Sequence, residues 1–284
     1  MKVDYSVFRP AIEAMNTGNA GVLKQLLADN HGFTAFRLDE PTHGHFAHPY
    51  LLWFIADNPV RNGWFPANIC EITSLIIDAI RRDAPETLQY QVNYALEFLT
   101  TGRTPTEPGL STALIDVLID SGAVPTNGIS ALAHRNPDAA RHLIARGGGM
   151  TLAAAIGLDD WENARHLFPH ADSRQRELAL ALAVHYNHNA AIAWLLKLGV
   201  NPNSFPEDDT GYFSNETPLH RATNSGNVEA VKLLLAAGAD IGIKDRLHNE
   251  TPPRWAQHFV NEDKRSDEYL ERVCEIIELF RLHS

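Results

Sequence analysis

The stretch from Asn215 to Asp245, NETPLHRATNSGNVEAVKLLLAAGADIGIKD, constrains the fold more than any other part of the chain. Thr217-Pro218 can start a helix: the Thr hydroxyl caps it, and Pro suits the first turn, where its missing N–H is no loss. Leu219 and Ala222 give that helix a short apolar face, and Gly226-Asn227 ends it, Gly being the residue that accepts a left-handed C-cap at little cost. A second helix follows with Val228, Val231, Leu234 and Leu235 at near-helical spacing. Gly238 closes it, and Ala239 to Asp245 leads out in an extended or hairpin form. Two helices this short cannot bury their apolar faces alone. They need copies of themselves stacked on either side.

The copies are present. Pro10 to Asn30 overlays the strong stretch at a constant offset: Pro10 falls on Pro218, Ala14 on Ala222, Gly18-Asn19 on Gly226-Asn227, and Leu26-Leu27 on Leu234-Leu235. The phrase Thr217-Pro218-Leu219-His220 with Ala222, the Gly226-Asn227 turn and Gly238-Ala239-Asp240 closely resemble the ankyrin repeat. The resemblance implies an all-α chain, an ankyrin-type α-solenoid of stacked helix-turn-helix repeats with short β-hairpin connections. It also implies that His220 is structural, bonding to backbone in the neighbouring repeat.

Taken in order, residues 1–284 divide into about eight units of one stack. After the first, residues 31–66 carry irregular insertions. There the second unit has its inner helix at Tyr50 to Asp57, an expanded turn holding Trp64 and Phe65, and an outer helix at Ala67 to Asp83 with Ile69, Ile72, Ile76 and Ile80 on one side. The third pairs Glu86 to Thr100 with Leu110 to Ser121. The fourth spans Asn127 to Gly148, with Asn136-Pro137 in place of the Gly turn. The fifth, Thr151 to Phe168, follows Gly147-Gly148-Gly149 without a hairpin. The sixth runs from Arg176 to Asn201, and residues 203–215 enlarge its exit into a finger. Asn249-Glu250-Thr251-Pro252 repeats the phrase at Asn215 and opens the last unit, 249–284. Its outer helix, Asp267 to Leu282, turns Leu270, Val273, Ile276, Ile277 and Phe280 inward and is otherwise polar, as a terminal cap needs to be.

Composition narrows the class of function. A formal charge of -11 argues against nucleic acid or an anionic membrane as the partner, since both call for basic patches. Cys70 and Cys274 lie in apolar helical contexts and read as buried free thiols without zinc spacing. The start has no apolar signal region, and the longest apolar run, Tyr50 to Ala56, is too short to span a bilayer. A cytoplasmic, monomeric protein is expected.

No catalytic constellation emerges. Arg146-Gly147-Gly148-Gly149 lacks the Lys-Ser/Thr end of a P-loop, and no G-x-S-x-G is present. His43, His45 and His48 form H-x-H-x-x-H, which could hold zinc or nickel but matches no common spacing. No metal and no cofactor is expected, and the chain reads as a non-enzyme. What remains is surface. In a stack of this kind the inner helices line a concave face, and the residues just before each inter-helix turn face solvent: Asn16/Thr17, His134/Arg135, Gly157/Leu158, Tyr186/Asn187 and Asn224/Ser225. The candidate partner-binding set is His134, Arg135, Tyr186, Asn187 and Asn224, joined by Tyr212 and Phe213 on the acidic finger, because Tyr and Arg anchor interfaces and loops on a rigid scaffold commonly carry recognition. The expected function is binding of another protein, with a basic segment of it as the candidate contact. Alternatives are an inhibitor or immunity-type protein that neutralises one toxin or enzyme, and a metal-dependent protein using His43, His45 and His48.

Overall fold

A computed structural model of the chain describes residues 2–39, 47–56, 65–102, 109–207, 211–262 and 265–283. The chain forms two compact units, Met1–Gly149 and Met150–Ser284. The first contains α1 (Tyr5–Asn16), α2 (Ala20–Asp29), a 3-10 turn at Leu51–Trp53 that runs on as helix to Ala56, α3 (Ile69–Asp83), α4 (Leu88–Thr101), α5 (Leu110–Asp120), α6 (Ile129–Ala133) and α7 (Pro137–Leu143). The second contains α8 (Leu152–Gly157), α9 (Trp161–Leu167), α10 (Ser173–His185), α11 (Asn189–Lys197), α12 (Pro218–Ser225), α13 (Val228–Ala236), α14 (Pro252–Glu262) and α15 (Asp267–Leu282). Among the described residues each unit thus holds four helix pairs.

Within each unit the pairs make two layers. In the first, α2, α3, α5 and α7 pack in succession as an outer row, and the 51–53 turn, α4 and α6 belong to the inner row. In the second, α8, α10, α12 and α14 form the inner row, and α11, α13 and α15 pack in succession outside it. Two inner helices of the second unit are buried on nearly every side. Ala179 to His185 of α10 are all buried, and so are Leu152 to Gly157 of α8. That explains their alanine content: small side chains let a helix flanked by neighbours approach them closely, and a helix apolar all round belongs inside.

Helix starts follow local chemistry. Asn19, Asn136, Asp160 and Asn227 each accept a backbone N–H three residues on, from Val22, Ala139, Asn163 and Ala230. Asp172 and Gln175 make a reciprocal capping box. The turns that end five of the inner helices each use one left-handed residue: Gly18 (φ 68°), Arg135 (59°), Asp159 (58°), Asn187 (57°) and Gly226 (63°). This corrects the sequence alignment. Arg135 and Asn187 stand where Gly18 and Gly226 stand, one place later than the alignment put them, because a non-glycine residue can occupy the same backbone position. Gly157, expected at the surface, is buried as the last residue of α8.

Connections between pairs are turn-rich. Among the described residues the one strand ladder is a parallel pair, β1 (Lys2–Val3) with β2 (Arg37–Leu38), which lies partly in the 31–66 insertion and was not anticipated. Links meet by side chain and by backbone: Asn203 Nδ2 donates to the Gly238 carbonyl at 3.0 Å, its Oδ1 accepts from Asp240 N at 2.8 Å, and Arg246 N donates to the Asn215 carbonyl at 2.8 Å. Cys274 is exposed and Cys70 half-buried, so the expectation of two buried thiols fails at Cys274, which falls on the outward face of α15.

Candidate partner-binding surface

Tyr212 and Phe213 of the finger lie against the inner row of the second unit. Phe213 is 1% exposed, with its ring 5.6 Å from that of His185. Its place in the candidate set is therefore corrected: an aromatic ring next to the apolar ends of two inner helices gains more from burial than from solvent. Tyr212 stays 40% exposed, against His185 at 5.7 Å and Phe213 at 5.0 Å. The Arg221 guanidinium lies over both rings, 5.1 Å from Tyr212 and 4.8 Å from Phe213. Arg221 also donates to His185 Nδ1 at 3.0 Å and pairs with Glu216, both partners being largely buried. Burial pushes the Glu216 carboxyl above its usual range, Arg221 draws it back, and Asp245 adds to the rise. Tyr186 is half-buried beside His185, at 5.3 Å between rings. Tyr186 and Tyr212 are thus both held against His185. Asp208 and Asp209 of the finger lie outside the described residues.

Asn224 belongs to a second feature. A groove of about 580 Å³ is lined by Asn224, Trp255, His258 and Phe259, with Glu250 and Arg254 among its polar groups. Its walls are fixed. Trp255 Nε1 donates to Asp245 Oδ2 at 3.1 Å, and the Trp255 ring meets Phe259 at 6.1 Å. Asp245 also accepts from the backbone of Leu247, His248 and Glu250. Burial works against its charge, but these bonds prevail and hold it below the usual carboxylate range. Arg265 donates to the Asn224 carbonyl at 2.8 Å and stacks on Phe259 and Tyr269 at 4.7 and 4.0 Å. The sequence signal for this groove was the replacement of Leu219-His220 by Pro253-Arg254 in the last repeat, which leaves Trp255 as the large residue of that turn.

His220 does what the resemblance implied. Its Nε2 donates to the Glu250 carbonyl at 3.0 Å, and its Nδ1 lies 2.8 Å from Thr217 Oγ1. Asn187 is exposed, with Asn227 Nδ2 donating to its Oδ1 at 3.0 Å, a tie between adjacent pairs. His134 and Arg135 are exposed at the end of α6 in the other unit, His134 Nδ1 donating to the Ser130 carbonyl at 2.9 Å. His43, His45 and Trp64 lie outside the described residues. His48 is fixed by bonds to the Leu38 carbonyl and Lys2, and Phe65 is buried.

The first unit carries an aromatic cluster that sequence reading missed. Trp53 stacks on Tyr94 at 4.2 Å, Tyr94 meets Phe98 at 4.8 Å, and Tyr90 lies 5.7 Å from Trp53 and 6.2 Å from Tyr50. The Arg37 guanidinium sits 5.3 Å from the Tyr50 ring. The signal was Tyr90, Tyr94 and Phe98 at four-residue steps, one face of a helix.

Comparison with known proteins places the repeats. Residues 111–245 match the family model of ankyrin repeats in three copies. The solved ankyrin repeat domain of human ASB11 is 15% identical, with 94% of this chain and 97% of that chain covered, at a TM-score of 0.34. The ankyrin repeat domain of Bcl-3, a member of the IkappaB protein family, is 20% identical over 93% of this chain and 97% of that one, at a TM-score of 0.33. No curated protein matches the sequence.

Proposed function

This chain is an ankyrin-repeat protein, and from that premise we propose that it is a non-enzymatic module that binds another protein through the inner-row faces of its units. Ankyrin repeats generally mediate protein–protein interaction. The observation that carries the reading for this chain is the groove at Asn224, Trp255, His258 and Phe259. Aromatic walls held by Asp245 and Arg265 offer contact area with little entropy left to lose, and preorganised aromatic and Arg groups dominate interface energetics. Tyr186 and Tyr212, with Arg221 held beneath Tyr212, extend the same inner row with amphipathic rings. No helix among the described residues is long and apolar enough to cross a membrane.

The test is quantitative capture from native lysate by the intact chain and by two variants. Gln257→Arg with His258→Glu changes exposed residues of α14 at the groove, and Tyr186→Ala with Tyr212→Ala changes the ring pair. All are first checked for unchanged helicity. A protein captured by the wild type and depleted about tenfold by the groove variant, as loss of one interface anchor of about 1.4 kcal/mol would give, supports the reading. Equal capture by the wild type and both variants, or capture of nothing, overturns it.

A further inference from the structure

The loop from Lys244 to Glu250 is firmly held for a surface connection. Asp245 is 3% exposed, and its carboxylate accepts from Leu247 N at 2.8 Å, His248 N at 2.6 Å, Glu250 N at 2.9 Å and Trp255 Nε1 at 3.1 Å. Arg246 N donates to the Asn215 carbonyl at 2.8 Å. The Arg246 guanidinium donates to the Ser214 carbonyl at 3.1 Å and lies 4.4 Å from the Phe205 centroid. These bonds leave the loop backbone little freedom to rearrange. Yet the loop turns Leu247 outward, 69% exposed, and among the described large apolar residues only Leu282, where α15 ends, is more exposed. Single exposed leucines are ordinary. This one differs in where it stands: the next residue, His248, lines the groove at Trp255 and Phe259. Adjacent Cα atoms are about 3.8 Å apart, so a segment that lies against His248 comes within reach of Leu247.

The charge at that rim is opposite to the charge of the chain. The chain carries -11. The one carboxylate that lines the groove, Glu250, is paired with Arg254 at 3.4 Å. The Asp245 carboxylate is buried and engaged by its N–H donors. Asp240, four places before Lys244, accepts from Gly242 N at 2.7 Å, and Glu207 of the finger faces Arg174 at 3.5 Å. Lys244 and Arg246 are exposed, and neither forms an ion pair among the described residues; the partners of Arg246 are a carbonyl and a ring, both neutral. At physiological salt charges are screened beyond about 8 Å, so a ligand on this rim feels Lys244 and Arg246 more than the distant carboxylates.

We propose that Leu247, Lys244 and Arg246 form the specificity-determining rim of the groove, and that the partner segment it takes is acidic and carries a large apolar side chain. The apolar side chain covers Leu247 and the wall of Trp255 and Phe259, and the carboxylates of the segment meet Lys244 and Arg246. A loop already fixed loses little entropy on binding, so the apolar contact counts nearly in full. Nucleic acid is also polyanionic, but it brings no aliphatic side chain to Leu247, and its longer run of phosphates meets the net charge of -11. The net charge alone favours a basic partner segment; the local charge at the groove favours an acidic one. The inference rests on the protein-binding reading above and names the chemistry of the segment bound.

The test is selection from a library of displayed random dodecapeptides on the immobilised full chain at physiological salt. The selected pool is then titrated against variants of the full chain. Leu247→Ser removes the apolar contact, and Lys244→Glu reverses one charge of the rim. Lys24→Glu makes the same net change at an exposed position of α2 in the other unit. None of these side chains makes a hydrogen bond or ion pair among the described residues, and unchanged helicity is checked first. The expected pool is enriched in Asp and Glu together with Leu, Ile, Phe or Trp. Leu247→Ser should weaken its binding at least about tenfold, Lys244→Glu about fourfold and Lys24→Glu less than about twofold. A pool without acidic enrichment, equal binding by the wild type and Leu247→Ser, equal weakening by the two Lys variants, or no enrichment at all overturns the proposal. So does displacement of the pool by a thymidine dodecanucleotide as readily as by the selected peptide itself, which would mark a site for polyanions in general. In each of those cases, lysate capture still depleted by Gln257→Arg with His258→Glu leaves the binding reading standing, so the two failures are distinguishable.

Discussion

At the scale of single residues the molecule depends on a few side chains that serve two helix pairs at once. His220 is the clearest. It is fully buried, closes a capping box with Thr217 and reaches the Glu250 carbonyl of the next pair. His220→Ala removes both bonds and leaves the part-buried Glu250 carbonyl with only the Asp245 N–H, so urea unfolding should show a loss of about 1–3 kcal/mol. Its pKa lies below the ordinary 6.5 because burial disfavours the imidazolium, with the Glu250 carbonyl and Asp245 opposing. The sign follows: between the depressed value and 6.5 the unfolded chain binds the proton more readily, so His220 stabilises fully above 6.5 and that contribution falls as the pH drops through the lower value. Stability curves at pH about 7.5 and about 5.5 should diverge for the wild type more than for His220→Gln. Glu216, whose carboxyl is raised above 4.5, acts in the opposite sense and is retained in both proteins, so the difference isolates His220. Gly226 is a second such residue. A Cβ there would lie 2.9 Å from Tyr269 Cε2 at φ 63°, so Gly226→Ala should cost at least about 1–2 kcal/mol.

At the scale of elements one device recurs. The residue that opens an outer helix reaches back to the end of the preceding inner helix. Asn68 Nδ2 donates to the Gly18 carbonyl at 2.9 Å, Asn136 Nδ2 to the Thr100 carbonyl at 3.3 Å, and His188 Nδ1 to the Ile156 carbonyl at 3.0 Å. Asn227 does so to side chains, Asn187 at 3.0 Å and Asn189 at 2.9 Å, while its own Oδ1 caps α13. Cap and tie can be separated. Asn227→Ser should keep most of the cap but lose the tie, and Asn227→Ala should lose both and cost about 1 kcal/mol more, measured by chemical denaturation. The caps were legible in the sequence because they are local: Asn19, Asn136 and Asn227 each sit just ahead of an apolar run. The ties were not, since nothing in the order of residues says which carbonyl a side chain will find in another pair. The same limit explains the rest of the surface. Counting back from a turn put Tyr186 and Asn224 at the surface, and it put Arg135 and Asn187 there too but one place out of register, because a left-handed turn need not be glycine. Phe213 was misread because its burial is decided by Arg221 and His185, one contributed by each of two different helices.

At the scale of the whole molecule, stability is a sum over neighbours. Within each unit a pair touches the pairs beside it, so damage at one end should stay there. Ile276, fully buried in α15, is a suitable place to test this. Ile276→Ala should cost about 2–5 kcal/mol locally, and hydrogen exchange should show α14 and α15 losing protection while α3 and α4 keep theirs. The β1–β2 pair bears on how the protein is best handled. Lys2 is paired with Arg37, and Arg37 is the cation stacked on Tyr50 and Trp53. A purification tag fused ahead of Lys2 would therefore emerge beside the aromatic cluster. A histidine-rich tag there would bring imidazole groups next to the rings of Tyr50 and Trp53. Affinity handles and fluorophores placed after Leu282, where α15 ends, leave the β1–β2 pair untouched.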